Sequence, residues 1–274
     1  MTTTKPIVLI GGAGKTGARV LERLSNRDVP TRLASRSSQP AFDWTAPDTW
    51  APALHGARAA YVTFFPDVAV PGAADAVGAL AAVAKAEGLE RLVLLSGRGE
   101  PSAQAAERAL MAAGVPWTVV RCSWFMQNFS ESHLLDPVLG GEVALPVDGV
   151  PEPFVDVEDI ADVAVAALTE DGHAGQVYEL TGPSAITFAE ATEAIGAASG
   201  RPVRFVGIPL DAYLAVLAEH GVPDDVAGLL RHLFAEVLDG RNAAPADGVR
   251  RALGREPRAF ADWARATAAT GVWG

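Results

Sequence analysis

The stretch PIVLIGGAGKTG, Pro6 to Gly17, puts four apolar residues directly before four glycines in seven positions. Glycine weakens regular structure, so a cluster here marks backbone that must turn sharply or be approached closely. Gly11, Gly14 and Gly17 have G-x-x-G-x-x-G spacing, with Lys15 and Thr16 inside the motif. Between a strand and a helix, the first glycine serves the turn and the second admits a pyrophosphate. The third lets helix and strand pack closely. The helix start adds N–H groups and a positive dipole for phosphates. A dinucleotide is therefore expected here.

The sequence around this motif alternates strand and helix. KTGARVLERLSNR carries Val20, Leu21 and Leu24 at helical spacing, and TRLASR (31–36) predicts a second strand. AFDW follows too soon for a full helix before the next strand, AAYVTFF (59–65). A helix from about Gly72 to Gly88, a strand RLVLLS (91–96), a helix PSAQAAERALMAAG and a strand WTVVRC (117–122) come next. This alternation predicts parallel strands with right-handed crossovers, and ligands outside the strands' carboxyl ends. Further on, EPFVDVEDIADVAVAALTE predicts a strand leading into a helix, GQVYELTG a last sheet strand, and Thr187 with Glu190 a capping box. The expected fold class is α/β: a Rossmann-type doubly wound parallel sheet with a smaller, mostly helical C-terminal substrate lobe. The expected division is 1–182 for nucleotide binding and 183–274 for the lobe, with 125–150 contributing to the lobe.

Composition narrows the function classes. The 274 residues are 49% hydrophobic and 20% charged, a globular balance that supplies a core. A net charge of −11 argues against a nucleic-acid surface, which would be basic. No apolar run reaches 18 residues, and MTTTKP leaves no room for a signal peptide, so a cytoplasmic protein without a membrane span is expected. The lone Cys122 excludes an internal disulfide. The five histidines have no metal-ligand spacing, and no metal is expected. The expected partner is a small-molecule substrate, with a homodimer left open.

The end of the second strand bears on which dinucleotide is bound. An acid there would take the ribose hydroxyls of NAD, whereas an arginine accommodates the 2′-phosphate of NADP. LASRSSQ offers Arg36 flanked by Ser35, Ser37 and Ser38, with no acid before Asp43. NADP(H) is therefore the expected cofactor, the alternative being an ordinary exposed arginine.

GGAGKTG, FDW (42–44), FVDVEDIADVA (154–164) and RCSWFMQNFSE (121–131) together resemble the NmrA-like family of atypical short-chain dehydrogenase/reductases. The resemblance covers nearly the whole chain. Its last segment is most similar to the ergot-alkaloid-dehydrogenase-like and NAD(P)H quinone reductase-like subgroup. It implies that Asp43 sits near the adenine, Thr63, Phe64 and Phe65 along the cofactor, and Ser96 and Gly97 near the nicotinamide ribose. It implies a substrate wall of Trp124, Phe125 and Asn128. Cys122 stands where the family usually has proline, beside the cofactor, as either a buried filler or a reactive thiol.

The Tyr-Lys pair of the familiar short-chain dehydrogenases is missing. Tyr61, Tyr178 and Tyr213 are followed four positions later by Phe65, Gly182 and Leu217. An acceptor needing little proton donation fits this lack: a conjugated or aromatic compound, an imine or an iminium. A reductase that mainly positions its reactants is expected, the alternative being a non-catalytic NADP(H) redox sensor. Proton-donor candidates are Ser96, His133 and Asp156, each with an ordinary structural role as its alternative.

Overall fold

Every residue of the IVLI run is buried, as in a strand covered on both faces of its sheet. The computed structural model describes residues 5–274. Among these residues the strands are β1 (Ile7–Ile10), β2 (Thr31–Ala34), β3 (Ala59–Val62), β4 (Arg91–Gly97), β5 (Trp117–Cys122), β6 (Glu142–Leu145), β7 (Gln176–Leu180) and β8 (Arg204–Gly207). Six form a parallel sheet in the order β2-β1-β3-β4-β5-β7, and β6 pairs in parallel with β8. The chain steps from β1 to β2 on one side and then to β3 on the other. A doubly wound sheet binds its ligand at such a reversal.

The chain divides into two units. One holds the described residues up to Cys122, Val157–Leu180 and Asp247–Arg255; the other holds Ser123–Asp156, Thr181–Ala246 and Glu256–Gly274. The sequence suggests one cut after residue 182, but the division is interleaved. β7 lies parallel to β5, so a crossover helix must precede it, and Ser123–Asp156 is inserted before that helix. Later, the helix Gly248–Leu253 packs on β7. The strand expected around Phe154 is reduced to two isolated bridges, Val155 to Phe125 and Glu152 to Ile186.

In the first unit the strand residues alternate between two cores. Val8, Ile10, Ala60, Val62, Leu92, Leu94 and Val119 share one core with Leu80, Ala81, Ala103, Ala106 and Leu110 of the helices Ala73–Ala86 and Pro101–Ala112. Leu9, Tyr61, Val93 and Val120 point the other way and are also fully buried. The helices Lys15–Ser25 and Val157–Thr169 pack together, and the latter also packs on β3, β4 and β5. Arg19 and Arg23 donate to Glu158 over 2.5 Å each, and Arg23 also reaches Asp162 at 2.6 Å.

A buried polar chain crosses the sheet near its carboxyl ends. Ser96 Oγ donates to Glu107 Oε1 at 2.6 Å, and Arg121 forks onto the same carboxylate at 3.0 and 2.5 Å. Arg121 Nη1 also donates to Glu179 at 2.6 Å, which accepts from Arg98 Nε at 3.2 Å. Glu107 is only 2% exposed, so the paired arginine is what allows a charge there.

The second unit has an aromatic core. Phe129, Phe154, Phe188 and Phe260 meet with centroids 5.0–6.0 Å apart, and Trp273 Nε1 donates to the Phe129 carbonyl at 3.0 Å. Thr187 and Glu190 form a capping box at the start of Phe188–Ser199. Met126 lies in this core, fully buried.

Breaking the Glu107 cluster tests the balance of charge and burial. Glu107→Gln should destabilise the protein by about 2–4 kcal/mol, because Arg121 keeps only Glu179. Ser96→Ala should cost about 1 kcal/mol. Urea unfolding of both variants measures the difference.

Candidate cofactor and substrate site

The glycine motif is built as its spacing predicts. Gly11 has a φ of +81°, and a Cβ there would stand 1.8 Å from Thr63 Oγ1. At Gly17 a Cβ would stand 2.3 Å from the Gly11 carbonyl oxygen, so only glycine lets the helix begin this close to β1. At Gly14 the nearest atom would be that same oxygen at 3.3 Å, with nothing else within 4 Å. The surface over Gly14 is thus open where the motif needs room for a ligand. Gly14 caps the helix without a side-chain acceptor, and no acid stands in the first turn. Such a helix start suits an anion. Lys15 is half-buried in this turn, and Thr16 is buried beneath it.

At the end of β2, Arg36 and Ser37 are exposed on a loop held by its own serines. Ser38 Oγ donates to the carbonyls of Ser35 and Pro40 at 2.8 Å each, and Ser35 Oγ lies 3.2 Å from Ser37 Oγ. Asp43 Oδ1 accepts from the Thr45 amide at 2.9 Å and hydroxyl at 2.8 Å. The amide bond first and the hydroxyl second hold its carboxyl below the usual range.

Beyond β3 the three residues expected along the cofactor separate. Thr63 Oγ1 donates to the Ile10 carbonyl at 3.2 Å, beside Gly11. Phe64 packs on Trp44 at 4.6 Å, in an aromatic group with Phe42 and Trp50. Phe65 is 79% exposed.

At the ends of β4 and β5, Gly97 pairs with Cys122. Ser96 is taken up by Glu107, as described. Cys122 is buried, and burial pushes its thiol up, so it stays protonated. Glu100, a residue not singled out in the sequence, folds its carboxyl against Gly97, and only its place in GRGEP, just before a helix-starting proline, hinted at it. Burial first, and the Asp67 carboxylate second, push it up to about 8. Burial also pushes up all three tyrosine phenols, so none is activated as an acid.

In the second unit, Trp124 and Phe125 are half-buried. Trp124 packs on Phe188 and Phe234 with centroids 5.9 and 5.7 Å away, and its Nε1 is buried without a partner. Asn128 begins the short helix Asn128–Glu131 and is half-buried. Asp156 is 2% exposed and accepts from Gln127 Nε2 at 2.7 Å. His133 is exposed, its Nδ1 3.4 Å from Ser132 Oγ. No three metal-ligating side chains gather among the described residues, and no helix of those residues is long and apolar enough to cross a membrane.

Known proteins agree with this geometry. Residues 104–273 match the NmrA-like family, and residues 11–171 match the NAD(P)H-binding family. The chain is 30% identical to the NAD(P)H azoreductase of Xenophilus azovorans, over 96% of this chain and 98% of that one. It is 30% identical to the agroclavine dehydrogenase of Claviceps fusiformis, over 94% and 95%. The NADPH-dependent quinone oxidoreductase of Escherichia coli, solved with NADPH, has the same fold. Its TM-score is 0.79 at 20% identity, covering 94% of this chain and 98% of that one. With its glycine cradle, its reversal point and matches that span the chain, this protein is an NAD(P)H-binding oxidoreductase of the NmrA-like family.

Proposed function

We propose that the protein is an NADPH-dependent reductase acting on a small conjugated, aromatic or imine/iminium-type acceptor. The observation that carries this reading is the open, acid-free cradle at Gly14 together with Arg36 exposed beyond β2. The next acid after Arg36, Asp43, accepts from the Thr45 amide and hydroxyl and also attracts the Arg36 guanidinium across the loop. The Arg36 fork matches phosphate oxygens, and the Ser37 hydroxyl supplements it.

The bound cofactor supplies a hydride. Gly14 and the helix start hold its pyrophosphate, and Arg36 with Ser37 holds the 2′-phosphate. Thr63 and the ends of β3 and β4 support the remaining half. Trp124, Phe125 and Asn128, in the second unit, are the residues assigned to the acceptor. Positioning is what these residues supply, and no tyrosine precedes a lysine by four residues. The relatives named as an NAD(P)H azoreductase and an agroclavine dehydrogenase support a small organic acceptor. NADPH oxidation measured with quinones, azo dyes, enones and iminium salts tests the reading. Retained NADPH binding with no turnover of any acceptor would make the protein a cofactor sensor instead.

Three variants separate the parts. Arg36→Ala should weaken NADPH binding by about 10- to 100-fold and leave NADH nearly unchanged, as calorimetry with both cofactors will measure. Gly14→Val fills the open space of the cradle and should abolish binding of either cofactor, while the circular dichroism of the fold persists. Phe125→Ala should raise KM for the acceptor several-fold at unchanged NADPH affinity; a parallel fall in kcat would add a positioning role.

A further inference from the structure

Glu100 has a buried carboxyl whose structural duties are missing. The residue is 5% exposed, and its Oε2 is buried without a hydrogen-bond partner. It is the N-cap of the helix Pro101–Ala112, yet its side chain makes no capping bond, so the usual task of an acid at a helix start does not occupy it. The carboxyl folds back on the strand instead. Its Oε1 lies 1.9 Å from where a Cβ on Gly97 would stand, so a glycine at the end of β4 is what admits it.

The sheet order tells which part of a bound cofactor would pass the strand end beside this carboxyl. Arg36 follows β2 and the glycine turn follows β1, with β3 and β4 next in the sheet. A dinucleotide laid from Arg36 across Gly14 therefore brings its nicotinamide half over the ends of β3 and β4. Neighbouring strands are about 4.8 Å apart, so β4 lies about 10 Å from β1, on the nicotinamide side.

We propose that Glu100 is the proton donor of this reductase, a carboxyl kept neutral against Gly97 until the acceptor takes its proton. The charged groups around it favour this state. Asp67, on the loop after β3, repels a second negative charge, and burial does so more strongly. From β5, Cys122 presents a protonated thiol, and Arg121 is engaged by Glu107 and Glu179. Arg98 directs its Nε to Glu179, and on the same helix Glu107 is held by Ser96 and Arg121.

One end of the acceptor's conjugated system takes the hydride, and the π pair is displaced to the other end, in a quinone a carbonyl oxygen. There it forms a bond to the proton leaving Glu100, and the remaining carboxylate regains a proton from water. One reduced cofactor and one proton are consumed per acceptor. An iminium is already cationic, takes only the hydride, and has no need of Glu100.

This inference rests on the reductase reading, and Glu100→Gln tests the two apart. The variant should bind NADPH as the wild type does and lose about 100-fold or more in kcat with a quinone. With an iminium salt its kcat should stay within a few-fold of wild type. Wild-type kcat with the quinone, or equal losses on both acceptors, overturns the proton-donor role and leaves the reductase reading standing. A wild-type protein that reduces no acceptor overturns both. Infrared spectroscopy gives a readout without turnover: a protonated-carboxyl band, absent from the variant, should titrate away near pH 8. Facing a cationic nicotinamide, the band should titrate at lower pH in the NADP+ complex than in the NADPH complex. Equal midpoints overturn the proposal, and this measurement decides alone should the variant fail to fold.

Discussion

The approach of Gly17 to the Gly11 carbonyl, closer than any side chain allows, is the constraint on which the cofactor cradle depends. It sets the helix Lys15–Ser25 directly behind the end of β1, so that the positive end of the helix and the turn share one small surface. The same helix then presents Arg19 and Arg23 to Glu158 and Asp162, tying the first crossover to the last one. A bulkier residue at 17 would push the helix away and disturb both arrangements together.

Charge is handled differently at the two central strand ends. Glu107 is fully buried and can be an anion because Arg121 forks onto it. Glu100, set against Gly97 next to Ser96, has no such fork, and burial raises it instead. Two carboxyls, one capping a helix and one within it, thus reach opposite solutions, pairing and neutralisation, through what faces them. That contrast draws attention to Glu100, since a neutral acid is of use at a redox site and an ion pair is chiefly structural.

Much of this was legible in the sequence. Continuous apolar runs such as IVLI and RLVLL need two covered faces, and their alternation with helical segments leaves a parallel doubly wound sheet as the natural arrangement. WTVVRC folds over 117–122 as its pattern predicts, and Thr187 with Glu190 closes the expected capping box. The interleaving of the units was not legible. Asp247–Arg255 is short and polar, and no periodicity announces that its helix returns to β7. FVDV reads as a strand by residue preference, yet it finds only one bridge partner in Phe125.

The sequence by itself determined the glycine turn, the alternation of strands and helices up to Cys122, and the arginine at the end of β2, because these rest on local chemistry and spacing. Tertiary structure alone decided what each candidate side chain touches. Ser96 bonds Glu107, Asp156 bonds Gln127, and Phe64 and Phe65, adjacent in sequence, go respectively into an aromatic cluster and out to solvent. It also singled out Glu100, whose neutrality comes from burial against Gly97 and from Asp67, 33 positions earlier in the chain. Burial and through-space charge arise from segments brought together by the fold, and local sequence does not encode them.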